Sequence, residues 1–249
     1  MNGKSTPNAG SFMRLRQEGR TEEVVRRLME AIDLGLYSEG QQLPSESELA
    51  MQFGVATVTL REALAYLRQR GVIETRRGRN GGSFVCNSVE IPADILLDQL
   101  NELSTIELRD LGDEHMAIAG TAARLAAKRG TEEHHQHLAH YIAALGEAQS
   151  RRERRRADAR FHIEVAAASQ SVRLTHAEIR LQAEVGELLW LPSASTPNPE
   201  TVQQEHQAIL DAIISGDSTL AGALAEAHVN RGIKRLISLK LELLSSETE

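Results

Sequence analysis

Cysteine is nearly missing from this chain of 249 residues, with Cys86 the only one. A single thiol closes no intramolecular disulfide and builds no cysteine-based zinc cluster, so the expected compartment is a reducing cytoplasm. Long apolar runs are lacking as well. The longest fall far short of a membrane span, and the amino end has no apolar signal core, so neither a membrane partner nor secretion is expected. Aromatic residues make up 3%, and β-branched residues are sparse in the second half, which leaves little material there for a sheet.

What is present describes a two-part globular protein. The length exceeds a typical single domain, and the hydrophobic content of 41% supplies a core. The net charge of −7 is unevenly spread: residues 1–88 hold 12 basic against 10 acidic side chains, so the acid is concentrated in the rest. A front third free of that excess can approach a polyanion.

That front third contains the most specific pattern. In Leu43-Pro-Ser-Glu-Ser-Glu-Leu-Ala50, Ser45 and Glu48 have the spacing of a capping box that opens a short helix. Gly54 supplies a turn, and Leu60, Leu64 and Leu67 then lie on one face of a second helix, which Gly71 ends. Two helices joined by a tight turn form a helix-turn-helix, with Thr57, Thr59 and Arg61 near the start of the helix that enters a major groove. Two β-prone ends then surround Gly78, Gly81 and Gly82, which predicts a hairpin wing. Arg76, Arg77 and Arg79 make its tip basic, and the glycines, Gly81 among them, let the backbone approach a phosphate or a minor groove.

Around this unit, residues 21–36 carry Val24, Val25, Leu28 and Ile32 at helical spacing, with Thr21 as the expected cap. Residues 1–20 read as a flexible arm, residues 21–88 as the winged helix-turn-helix, and residues 89–249 as an all-helical domain. Within the last, helices are expected over 93–103, 105–129, 132–150, 152–169, 172–191, 200–215 and 218–244. The fold class is therefore mainly α: a helix-turn-helix with a small β-hairpin wing, then an antiparallel helical bundle with any ligand site between facing helices.

In the bundle, Asp158 and His162 lie one turn apart on one helical face, while His206 and His228 sit in two further apolar-periodic helices. Taken singly, these histidines read as hydrogen-bonded core or surface residues rather than ligands. Taken together, one Asp and three His suit a divalent cation such as Zn²⁺, Ni²⁺ or Mn²⁺, with positions left for water or an anion. Glu164 and Glu205 are offset to other helix faces, so neither is assigned as a general base. Other features read as structural: His134, His135, His137 and His140 as a solvated face, the basic run 151–156 as a solvated approach meeting acidic neighbours, and Phe161 and Trp190 as packing.

The motifs Leu43-Pro-Ser-Glu46, Arg61-Glu-Ala-Leu64, Gly71-Val-Ile-Glu74 and the run from Arg77 to Val85, in that order, resemble the winged helix of GntR-family bacterial transcription regulators. The resemblance implies that Arg61 contacts the operator. Ser47 and Thr57 stand where the family usually has arginines, so the operator sequence is not implied. The block 158–169, then His206 to Ile213, Gly216-Asp217 and His228, is similar to the ligand-binding domain of the FadR-like branch, although Ser171 replaces a frequent asparagine. That resemblance implies a metal on Asp158, His162, His206 and His228, and a small organic acid effector held partly by Arg109.

The expected function is thus a cytoplasmic, ligand-responsive transcription factor, not an enzyme, that binds a palindromic operator in double-stranded DNA as a homodimer. Two alternatives stay open at this level: a metal-dependent hydrolase fused to a DNA-binding head, and a regulator that senses acyl ligands without metal.

Overall fold

The structure is a computed structural model that describes residues 19–78, 81–86, 92–193 and 196–246. Apart from Gly19 and Arg20, the expected arm lies outside the described residues, as do Arg79 and the boundary expected at residue 88. The described elements run α1 (Arg20–Asp33), α2 (Glu46–Phe53), α3 (Thr57–Gln69), β1 (Ile73–Arg76) and β2 (Gly82–Val85) in the head. In the bundle they run α4 (Ala93–Glu102), α5 (Thr105–Arg129), α6 (Glu132–Glu147), α7 (Arg151–Ala168), α8 (Val172–Leu189), α9 (Pro199–Ile214) and α10 (Ser218–Ser246).

The head forms from short-range signals. Ser45 Oγ accepts from the Glu48 amide while the Glu48 carboxylate accepts from the Ser45 amide, the reciprocal box that starts α2. Gly54 adopts φ 63°, a left-handed turn that other residues resist, and α3 follows within three residues. Leu60, Ala63, Leu64 and Leu67 of α3 pack on Val24, Leu28 and Ile32 of α1, with Ile73 and Val85 closing the core from the wing. The two strands pair antiparallel, from Ile73 opposite Val85 to Arg76 opposite Gly82. Thr21 does not cap α1. Gly19 holds that position, and the Thr21 hydroxyl instead donates to Glu62 on α3.

In the bundle, α5 and α10 are the most extensive pair. Gly112 faces Ile233, Gly120 faces Glu226 and Gly222 faces Arg124, so one helix descends as the other rises. Buried alanines on both helices let their axes draw close. Helix ends mostly match the sequence expectation, with an instructive difference at residue 150. Ser150 was expected in α6, but it caps α7 in a second reciprocal box with Glu153. A capping serine belongs to the helix whose free amides it satisfies.

Head and bundle meet through α1 and α7. Leu34 and Leu36 pack with Ala159, Ile163, Ile179 and Ala183. Above this seam, Arg155 and Arg156 donate to the carbonyl of Asp33, Arg156 also to that of Ile32, and Arg160 to that of Gly35. These carbonyls lie at the carboxyl end of α1, where positive charge is favoured. The basic run 151–156 therefore does more than solvate: Arg155 is buried against the head. It also meets acid as expected, since Arg151 and Arg155 both approach Glu187.

Candidate metal centre and nucleic-acid interface

On the head, Thr57 is exposed and Thr59 half-exposed at the start of α3, one turn from Arg61. Arg61 is bound by its Nε to Glu46 of α2 at 2.7 Å, which points the guanidinium outward along the exposed edge shared by the two helices. In the wing, Arg76 lies over the Phe84 ring at 4.3 Å and donates to Glu74, so its side chain is oriented by stacking. Arg77 is exposed at the turn. Gly81 closes that turn: a Cβ there would lie 2.6 Å from the Arg76 carbonyl oxygen. The structure thus places Thr57, Thr59, Arg61, Arg76, Arg77 and Gly81 on the exposed parts of the recognition helix and wing.

In the bundle, the helices bring four donors together from α7, α9 and α10. One ligand atom each of Asp158, His162, His206 and His228 lies within 4.8 Å of the others. His228 Nε2 is 3.2 Å from His162 Nε2 and 3.4 Å from His206 Nε2, while Asp158 Oδ1 is 3.3 Å from His206 Nε2 and 3.9 Å from His162 Nε2. Ligand atoms about 2.0–2.2 Å from one divalent ion stand about 3–3.5 Å from their neighbours, so these separations fit the edges of a coordination polyhedron.

Protonation favours the same use. Burial would raise the Asp158 pKa, but the His206 hydrogen bond and the surrounding imidazoles outweigh it and hold the carboxyl below its ordinary range. Burial lowers His206, and drives His162 down to about 3 with Asp158 opposing. At neutral pH Asp158 is therefore a carboxylate while His162 and His206 are held neutral, the state that ligates a cation. The Glu205 carboxylate accepts from His228 Nδ1 at 2.6 Å, which turns His228 Nε2 toward two other ring nitrogens. Three ring nitrogens that face one another beside a carboxylate oxygen are a donor set that a shared cation can satisfy. The residues present therefore fit a divalent ion.

Supporting contacts fix each donor. Trp190 Nε1 donates to Asp158 Oδ2 at 3.0 Å, leaving Oδ1 to face the imidazoles. The Phe161 ring stacks on His206 with centroids 3.9 Å apart and planes 9° from parallel. A second buried group adjoins: His115 Nε2 donates to Glu178 at 3.0 Å, and Gln182 donates to the same oxygen at 2.9 Å. Burial opposes charge on both partners, yet their attraction prevails, raising the His115 pKa and lowering that of Glu178. Beside the tetrad lies a small cavity lined by His115, Leu189, Val202, Val229, Gly232 and Arg235 as well as by three of the four donors.

Comparison with known proteins accounts for both regions. The description "Bacterial regulatory proteins, gntR family" matches residues 20–85, and the FCD domain matches residues 110–231. The HTH-type transcriptional regulator RmpR of Mycobacterium gastri is 44% identical over 226 residues, covering 90% of this chain and 82% of the relative. An L-lactate dehydrogenase operon regulatory protein of Escherichia coli is 30% identical over 223 residues, covering 84% and 83%. The Glc operon transcriptional activator of Escherichia coli is 28% identical over 235 residues, covering 88% and 90%. The chain belongs to the GntR family. It is a ligand-responsive, DNA-binding transcription regulator with an FCD domain, not an enzyme, which removes the fused-hydrolase alternative.

For this GntR regulator, the structure adds supporting groups around the donors and places Arg109 apart from the cavity. Arg109 is exposed on α5 and does not line the cavity. It stands six residues before His115, which puts it about 120° around the helix from the side that faces the tetrad. Glu205, set aside as pointing elsewhere, orients His228. Trp190, read as packing, orients Asp158. The expected solvated face is also partly engaged, because His134 and His137 both approach Glu164, at 2.8 and 3.4 Å. Periodicity along one helix reports its own faces, not which neighbouring side chain reaches across.

Proposed function

We propose that this regulator binds a two-fold-symmetric operator as a homodimer in the cytoplasm, and that a divalent ion on Asp158, His162, His206 and His228 helps it sense a small carboxylate metabolite. The placement of the tetrad within the FadR-like branch belongs to the same reading. The carrying observation is the convergence of four donors, three buried and His228 half-buried, on one point inside an FCD domain, with Asp158 held ionised and His162 held neutral. Bound there, the ion supplies a Lewis-acidic position for a carboxylate oxygen. The chain's own residues do the rest: Trp190 and Glu205 hold the donors, and Phe161 and Val202 keep water out. Asp158, His162, His228 and Arg235 in the cavity wall would be left without polar partners by an acyl chain, which argues against the metal-free acyl reading.

DNA recognition rests on Thr57, Thr59 and Arg61 in the major groove and on Arg76, Arg77, Arg79 and Gly81 at the wing. Helix α7 links the two halves, because the same helix carries Asp158 and His162 and, through Arg155, Arg156 and Arg160, grips the end of α1. A ligand that prefers one position of α7 would change the pose of the head, and operator affinity would follow by linkage. The names of the lactate and Glc operon relatives agree with a small organic acid as effector.

The test is selection of bound duplexes from a random pool, paired with elemental analysis and sedimentation of the purified protein. Expected are a palindromic consensus with half-sites about one helical turn apart, a dimeric mass, and one divalent ion per chain. An asymmetric consensus or a monomer bound to DNA overturns the dimer reading. Protein that takes up no ion on reconstitution overturns the metal reading.

A further inference from the structure

One apolar side chain stands at the front of the recognition helix and touches no core. Val58 lies between Thr57 and Thr59 in the first turn of α3 and is 62% exposed. The buried residues of this helix, Leu60, Ala63, Leu64 and Leu67, define its inner face. At about 100° per residue, Val58 lies almost opposite the middle of that face. It therefore projects straight away from the head, with Thr57 and Arg61 turned to one side of it and Thr59 to the other.

Folding does not account for a valine here. A β-branched side chain loses rotamer freedom in a helix and supports it less well than alanine. Val58 also belongs to no apolar cluster among the described residues, whereas Val55, three residues earlier, packs against the core of the head. The side chain thus costs helix stability and returns no packing within the chain.

We propose that Val58 is a specificity residue of the DNA interface and selects thymine, by contact of its methyl groups with the thymine C5 methyl in the major groove. This rests on the reading that places Thr57, Thr59 and Arg61 in that groove.

Base chemistry supports the choice of occupant. Every base-pair edge in the major groove offers hydrogen-bonding atoms, and thymine alone adds a methyl group. The threonine hydroxyls and the Arg61 guanidinium can serve the polar atoms, and a side chain without donors or acceptors gains only from the methyl. Cytosine in the same place would lack that methyl and set its amino group against an apolar surface. Glu46 holds Arg61 through Nε at 2.7 Å, so a cation stays one turn from Val58 and draws the polyanion toward this end of the helix. Val58 precedes Arg61 by three residues, about 4.5 Å along the axis, against about 3.4 Å per base pair. The thymine is therefore expected about one to two base pairs from the base that Arg61 reads.

The experiment uses the full-length protein and the duplex it selects from a random pool. Each conserved thymine is replaced in turn by deoxyuridine, which removes the C5 methyl and nothing else, and Kd is read by fluorescence anisotropy. Wild type is expected to lose about four-fold at one thymine of a half-site, the worth of burying one methyl group, and about fifteen-fold when both half-sites are substituted. Val58→Ala is expected to bind the thymine and uracil duplexes alike, to select operators without that thymine, and to keep the thermal midpoint of wild type. Wild type that is indifferent to uracil at every position overturns the proposal, as does a Val58→Ala protein that keeps the full sensitivity to the methyl. Wild type that enriches no duplex at all overturns the DNA reading as well, and the selection step separates that failure from the other two.

Discussion

Arg61 and His206 show how differently the two halves hold their functional groups. The Arg61 side chain is 67% exposed and restrained by a single ion pair, whereas His206 is wholly buried, stacked on Phe161 and facing Asp158. The head presents side chains outward from a small apolar core, so function and stability reside in separate residues. The bundle builds its site inside its own core, where a donor, its orienting partner and the surrounding apolar wall are one structure. Damage to the head should therefore be local, and damage to the bundle should spread.

The strongest way to break this contrast is Asp158→Asn, which keeps the shape and removes the charge. Metal affinity should fall more than about 100-fold, beyond the usual cost of losing a supporting group, as read by competition with a chelating dye. Unchanged affinity would mean the tetrad is ordinary core. Next come Glu205→Gln and Trp190→Phe, which leave all four donors in place. Each should weaken metal binding by about 10- to 100-fold, and equal affinity to wild type would show that the donors need no orientation.

Arg61→Ala tests the other half. It should cost about 1–3 kcal/mol on the selected operator if it makes a bidentate base contact, with the thermal midpoint of the protein essentially unmoved. A matching loss on random duplex would reassign it to phosphate. The smallest effect is expected from Arg77→Ala, which should flatten the plot of log affinity against log salt by about 1. No change in slope would remove the wing tip from the interface.

Legibility in the sequence follows the same division. The helix-turn-helix was readable because its signals are contiguous: the Ser45–Glu48 box, the Gly54 turn and the leucines of α3 all act within a few residues of one another. Asp158 and His162 were readable as a pair for the same reason, being one turn apart. Linking them to His206 and His228 took family resemblance, since these stand on other helices. The support that Glu205 and Trp190 give the donors was not legible, because facing and reach across a bundle depend on how helices pack.

The sequence alone determined where helices begin and end, which half is acidic, and which residue types were on hand for DNA and for a cation. Those properties come from interactions within one or two helical turns. The tertiary structure decided which imidazoles converge, which carboxylate orients His228 and which arginines clasp the head. Such outcomes depend on the rotation and closeness of helices distant in the chain, set by the whole core at once, and no local pattern contains them.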